Sequence, residues 1–321
     1  MILRRSALAL GLAALGRPLA AQESFPNRPV RIVLPYGPGG FADISARIVA
    51  ERMRAAWPQP VVVENQAGAG GNIGAAAVAR AAPDGHTLMI ASPGPIAFNQ
   101  VLYRNLPYDP AGFVPISTLL RVPNLIAVGP SVQAGDVLGL VAAMRQEPGR
   151  FTYASNGAGS TPHLTAELFS SLTGTKLSHI PYSSAPQALT DVMAGRVDMM
   201  FANVAAVLSL LRAGKLRALA IADTQRSAQL PELPTAREAG LDGLVSTAWF
   251  GLVAPPRTPP AIVEQIGAVV RASLHDEQAR KTLTEAGADP VGNTPEEALA
   301  FTRAEARLWG DVIRQAGITA E

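Results

Sequence analysis

Short apolar runs alternate with helix-patterned stretches along most of this chain, and that alternation constrains the fold more than any other feature. "VRIVLPY" (30–36) leans to strand, and from Phe41 a helical pattern follows with Phe41, Ile44, Ile48 and Val49 on one face. "QPVVVEN" (59–65) reads as a buried strand. A glycine turn and a small-residue helix come next in "GAGGNIGAAAVARAAPDG" (68–85), stopped by Pro-Asp-Gly, and "HTLMIAS" (86–92) is the third strand. Such a βαβαβ rhythm predicts a parallel sheet with helices on both faces.

The rhythm breaks once. "FVPISTLLRVPNLIAVG" (113–129) is a long β-leaning run without a helical interlude, fitting either two strands or a strand pair that crosses between domains. The spacing then predicts helix 136–147, strand 150–155, helix 162–172, strand 177–182, helix 186–194, strand 197–202, helix 204–212 and strand 216–222. A proline-rich loop, "LPELPT" (230–235), precedes a late strand, "AWFGLVAP" (248–255), and the tail is mostly helical from Pro259 to about Ala316. Two α/β units joined by a crossover and a return strand predict an α/β protein of two lobes. Residues 22–126 with 247–321 form the first, and 127–246 the second. Ligands of open α/β sheets bind beyond the C-terminal ends of the strands, so function is sought in the βα loops.

The first 21 residues belong to another class. Arg4 and Arg5 precede an uncharged apolar run from Ala7 to Gly16 and a small-residue exit at Ala20–Ala21, the layout of a cleavable secretory signal. That run is shorter than the roughly 20 residues a bilayer span needs. Without this segment Arg4, Arg5 and Arg17 are lost, Lys+Arg falls from 27 to 24 against 25 acids, and the net charge is about −1. This balance gives no footing for nucleic acid or a membrane surface. A hydrophobic content of 48% with 16% charged residues excludes a disordered chain. The absence of cysteine removes disulfides, thiolate metal sites and a lipid-anchor cysteine. Four scattered histidines (His86, His163, His179, His275) do not make a zinc site. No metal and no cofactor is expected.

Two loops stand out. In "PYGPGGFADISAR" (35–47), Gly37, Gly39 and Gly40 present backbone N–H groups at a helix start, where unpaired donors and the helix dipole favour an anion. Asp43 falls in the first turn and can cap it. The segment alone fits a tight, well-capped turn equally. "YASNGAGSTPHL" (153–164) repeats the design: a strand ends at Ser155, a glycine loop follows, and Thr161-Pro162 suits a helix start. Ser155, Ser160 and Thr161 set hydroxyls beside free backbone donors. Two such helix starts, one per lobe, suit a small ligand with carboxylates at its opposite ends. "GAGGNIG" (68–74) fails the dinucleotide fingerprint at Ile73 and has no Gly-Lys-Ser/Thr, so it reads as close helix–strand packing. Tyr182, after a strand, either closes a pocket or packs. Asn203 is either a polar contact or an N-cap. An enzymatic alternative pairs Ser155 or Ser160 with His163 as base, in an exported serine hydrolase. It lacks the G-x-S-x-G elbow and an orienting acid marked by position.

Several motifs occur together and in order: "FPNRPVRIVLPYGPGGFADISARIVAERM", "VVVENQAGAGGNIGAAAVARAAPDGHTLMIAS", "YDPAGFVPIS", "YASNGAGSTPHLTAELF", "GRVDMMFANVAAVLSLLRAGKLRALAI", "LPELPTAREAGL" and "WFGLVAP". In these the chain resembles the Bug-type receptors of tripartite tricarboxylate transporters, over nearly all of 25–255. The resemblance implies a two-lobed, Venus-flytrap periplasmic binding protein, not an enzyme. It would capture a small carboxylate between its lobes, deliver it to membrane permease subunits and act as a monomer. A receptor-like sensor subunit signalling through a membrane partner is the alternative. The resemblance further implies that the loop from Tyr36 to Asp43, with Gly37, Gly39, Gly40 and Phe41, faces the loop from Ser155 to His163, with Gly159, Ser160 and Thr161. Together they would hold one carboxylate, partly through ordered water. It places Ser92 on another cleft-lining loop. Departures occur at Pro181-Tyr182-Ser183-Ser184, where the family often has P-Y-K-G, at Phe201-Ala202-Asn203 in place of F-D-N, and at His86 in place of Tyr.

Overall fold

The first α/β unit forms as its periodicity dictates in the computed structural model, which describes residues 25–38, 41–182 and 184–320. The expected signal segment, Gly39, Gly40 and Ser183 lie outside the described residues. The unit runs β1 (Val30–Leu34), α1 (Phe41–Ala56), β2 (Val61–Asn65), α2 (Asn72–Ala79) and β3 (Thr87–Ala91). The face of α1 turned to the sheet is built from Ala42, Ala46, Val49, Ala50 and Met53, whereas Ile44 is 37% exposed. The stripe expected through Phe41, Ile44 and Ile48 is thus rotated onto the alanines. Small side chains let the helix lie closer to the strands, and packing density favours that arrangement over burial of the larger isoleucine.

After β3 come a wide π-type turn, Gly94–Phe98, the one-turn helix α3 (Asn99–Leu102) and β4 (Val114–Val128), a single strand of 15 residues. The second unit continues with α4 (Val137–Gln146), β5 (Thr152–Ser155), α5 (Thr161–Thr173), β6 (Ser178–Pro181), α6 (Ala185–Met193), β7 (Met199–Asn203), α7 (Val204–Arg212) and β8 (Arg217–Ala222). The chain returns through β9 (Thr247–Ala254) and ends in α8 (Pro260–His275), α9 (Glu277–Glu285), the two-residue β10 (Asp289–Pro290) and α10 (Pro295–Ala316).

The strands follow the order β2-β1-β3-β9-β4-β7-β5-β6, with β8 and β10 also paired to β4. The βαβ units give parallel pairs, β1 with β2 and β3, and β5 with β6 and β7. Around β4 the pairing is antiparallel. From Val114 to Pro123 it lies against β9, and from Asn124 to Val128 against β7. One strand therefore serves both halves, and the register changes hands between Pro123 and Asn124.

Each half has its own core. Ile32, Leu34, Val49, Leu88, Ile90, Leu120 and Ile266 pack the first. Phe151, Tyr153, Leu164, Phe169 and Phe201 pack the second, into which α10 inserts Trp309 and Ile313. Near its start the same helix sets Phe301 edge-on to Trp249, with ring centroids 5.4 Å apart. It thereby bridges both halves. Among the described residues no helix is long and apolar enough to cross a membrane, and no cluster of His, Cys, Asp or Glu could hold a metal.

Candidate functional site

The helix start at α5 comes first, because local chemistry fixes it. Ser160 takes the N-cap position, its Oγ accepting from the His163 amide (3.4 Å) and donating to the Gly157 carbonyl (2.7 Å), with Pro162 in the first turn. Gly159 has φ +74°, and a Cβ there would lie 2.7 Å from Leu102 Cδ1, so only glycine fits the turn. The backbone N–H groups of Asn156, Ala158 and Thr161 and the Thr161 hydroxyl have no hydrogen-bond partner among the described residues. They open onto a cavity of about 430 Å³.

The facing wall belongs to the first half. Tyr36 and Gly37 come from the end of β1, Phe41 from the start of α1, and Ser92 from the end of β3. Tyr36 Oη and Ser92 Oγ are 2.6 Å apart, and Ser92 is buried. Burial pushes the Tyr36 hydroxyl above the ordinary phenol range, against the smaller opposing effect of the Ser92 hydrogen bond. It is a neutral hydroxyl across the physiological range. Phe98, Leu102 and Phe250 add apolar wall, and Ala320 closes one side, its N–H bonded to the Leu102 carbonyl. No described lining residue carries a charge. An anion enclosed here meets only dipoles: amides, hydroxyls and the N-terminal end of α5.

Seven of the candidate residues, Tyr36, Gly37, Phe41, Ser92, Gly159, Ser160 and Thr161, line this one cavity. The others lie elsewhere. Asp43 is buried on α1 and pairs with Arg47 at 3.0 Å. Ser155 sits behind the loop, fully buried, its Oγ 2.6 Å from His179 Nε2. His163 turns the same way: its Nδ1 accepts the Gly159 N–H (3.0 Å), and its ring stacks on His179 with centroids 4.1 Å apart. Tyr182 donates to Asp191 Oδ2 (2.7 Å), and Asn203 donates to Asn124 Oδ1 (2.7 Å). Gly39 and Gly40 lie outside the described residues.

A serine–histidine nucleophile is not assembled. His163 Nδ1 is occupied by a backbone amide, and the Ser155–His179 pair is sealed from the cavity. Burial holds both imidazoles down at about 4, with each ring's proximity to the other a lesser contribution for His179. His86, a family departure, packs edge-on to Phe25 at 5.0 Å, well apart from the cavity lining.

Sequence reasoning overlooked Gly70, Gly94, Asn99, Tyr103 and Phe250. The 68–74 loop does more than pack: Gly71 and Gly74 fit against Pro95 and Pro35, and Gly70 reaches the cavity. A signal for it was present in the run of glycines. Asn99 and Tyr103 arrive through the irregular turn after β3, which carries no periodic pattern.

With this geometry in place, the comparisons are specific. The family model of the tripartite tricarboxylate transporter family receptor matches residues 45–318. Protein BugT of Bordetella pertussis is 35% identical over 310 residues, covering 96% of this chain and 95% of its own. Among solved structures, R. palustris Rpa4515 with adipate is 38% identical, with a TM-score of 0.79 over 92% of this chain and 99% of that one. MatC from Rhodopseudomonas palustris with bound malate is 33% identical, with a TM-score of 0.76 over 90% and 100%.

Proposed function

The chain belongs to the tripartite tricarboxylate transporter receptor family, and from that premise we propose that it captures a small carboxylate between its halves and delivers it to the membrane subunits of a transporter of this kind. Family and fold are those of periplasmic solute-binding receptors, which are not enzymes. The protein works in the periplasm as a monomer, after loss of residues 1–21. Residues 22–126 with 247–321 form one lobe and 127–246 the other, and they close on the ligand by population shift.

The observation that carries this reading is the start of α5. Three amides and the Thr161 hydroxyl without a partner among the described residues belong to residues lining a cavity whose described lining carries no charged side chain. A carboxylate there gains charge-assisted hydrogen bonds of about 1.5–3 kcal/mol each. The adipate and malate complexes of related proteins favour a carboxylate as the captured group.

Titration calorimetry and thermal melts with mono-, di- and tricarboxylates test the reading. At least one member of the panel releases heat, raises the melting temperature and is recovered unchanged, since a native-state ligand stabilises by mass action. Thr161→Val, which keeps the shape and drops the hydroxyl, weakens that ligand about tenfold. Silence across the whole panel would overturn the carboxylate assignment.

A further inference from the structure

A second polar locus lies in the same cavity, on the wall of the first half, around Gly94. A Cβ on Gly94 would sit 3.3 Å from Tyr36 Oη, 3.4 Å from the Gly70 carbonyl oxygen and 3.7 Å from Asn99 Oδ1. Three oxygens therefore converge on a space kept open by the absence of one methyl group. What those oxygens offer follows from the bonds behind them. Asn99 is 3% exposed, and its Nδ2 donates to the Gly70 carbonyl (3.2 Å) and to Asn72 Oδ1 (2.6 Å). Both of its N–H bonds are committed. The Gly70 carbonyl can only accept, so it fixes which way the amide faces. Asn72 Oδ1 also lies 2.8 Å from the Tyr108 hydroxyl, whose one proton is shared between it and the Pro95 carbonyl at 3.0 Å.

Asn99 Oδ1 is thus left toward Gly94 without a hydrogen-bond partner among the described residues, beside a second carbonyl oxygen. Both are acceptors that cannot turn into donors. The hydroxyls nearby, Tyr36, Ser92 and Tyr103, can play either part. A carboxylate placed at this locus would set its oxygens against two fixed carbonyl oxygens, with no cation among the described lining residues to offset the repulsion. A hydroxyl or amide N–H satisfies the acceptors and leaves the hydroxyls free to adjust. The two polar loci of the cavity are therefore unlike: donors at the start of α5, acceptors at Gly94, and apolar wall from Phe41, Phe98 and Phe250.

We propose that the Gly94–Asn99 locus selects a carboxylate carrying a hydrogen-bond donor, a hydroxyl or amide, at its remote end, over a dicarboxylate of the same length. This rests on the carboxylate reading above and narrows it to one chemical class. A buried acceptor left unpaired is costly, which makes the discrimination large for a single hydrogen bond.

Calorimetry on the full mature chain at neutral pH decides it, using matched sets of four, five and six carbons: the ω-hydroxy acid, the dicarboxylate and the unsubstituted alkanoate. At the length that fits best, the ω-hydroxy acid binds at least about tenfold more tightly than the other two. Gly94→Ala, at a position whose φ suits alanine, fills the locus. It reduces the preference, read as the ratio of ω-hydroxy acid to alkanoate affinity within the variant, to about twofold or less, with the fold verified by circular dichroism. A dicarboxylate that binds as tightly as its ω-hydroxy partner at every length overturns the proposal, and so does a preference that survives Gly94→Ala. The wild-type series alone settles the point if that variant does not fold. Binding by none of the nine compounds overturns the carboxylate reading itself, an outcome distinct from binding without the preference.

Discussion

Behind the loop that starts α5, Tyr153, His179 and His163 stack in a column, with rings 4.8 Å and 4.1 Å apart. The Gly159 amide donates to His163 Nδ1, so the neutral ring carries its proton on Nε2, toward Glu167 3.8 Å away. Tyr153 donates to the same carboxylate at 2.7 Å. Both imidazoles titrate at about 4 in the folded chain, because burial disfavours their charge, against about 6.5 when unfolded. Above pH 6.5 neither state binds the extra protons. Between 6.5 and 4 the unfolded state takes them up and the folded state does not, so stability is lost as pH falls through that window. After allowance for solvent screening the loss is on the order of 1 kcal/mol per histidine between pH 7 and 5. Thermal melts at pH 7, 6 and 5 should show the fall in wild type and a shallower slope in His179→Gln. A parallel slope in the variant would remove the histidines from the account. Ser155 and His163 illustrate what a sequence does not reveal. Their spacing from a helix start was readable, but which way a side chain turns depends on partners such as His179, 24 residues away.

Among the elements, α10 depends most visibly on its own local code. Thr294 accepts from the Glu297 amide (3.2 Å), and the Glu297 carboxylate accepts from the Thr294 amide (2.9 Å), a complete capping box ahead of 22 helical residues. Thr294→Ala costs about 1 kcal/mol, read as a drop of about 2–4 °C in the melting temperature. Ligand affinity stays unchanged, because the cap is remote from the cavity lining. Elements with this kind of local signal were legible: the starts of α1 and α5, and the strands of both βαβ units. Through them Ser160 and Thr161 could be placed beside a cavity that they do line, whereas Tyr36 and Ser92 were pointed to only by the family resemblance. The strand β4 was not legible as one piece, because Pro115 and Pro123 interrupt its pattern. A register shift follows Pro115, before Ser117, and a second lies between Thr118 and Leu120, whereas Pro123 stays in register opposite Thr247, where β4 passes from β9 to β7. Phe250 and Ala320 reach the cavity only through long-range pairing, which no local pattern encodes.

At the scale of the whole molecule, the handover on β4 is held by a buried polar cluster. Asn124, fully buried, donates to Thr165 Oγ1 (2.8 Å) and Ser246 Oγ (3.0 Å) and accepts from Asn203 (2.7 Å). Those partners come from α5, the approach to β9, and the end of β7, so one amide ties together the segments that connect the halves. Asn124→Leu leaves Thr165 and Asn203 without it and should cost about 3 kcal/mol, measured as a lower denaturant midpoint. A change below 1 kcal/mol would assign the cluster no structural weight. The alternation of β9 has a further consequence. Ala248 and Phe250 face the cavity, while Trp249 points to the reverse side, where its Nε1 and that of Trp309 both donate to Glu305, at 2.9 and 3.1 Å. Burial raises the Glu305 carboxyl above the usual carboxylate range. The strand that walls the ligand thus carries on its back an indole next to a second indole and a responsive acid. The protein holds an optical gauge of its own: any shear of β9 against α10 on ligand entry alters the surroundings of two of its three tryptophans and registers as a shift in ultraviolet emission without a label.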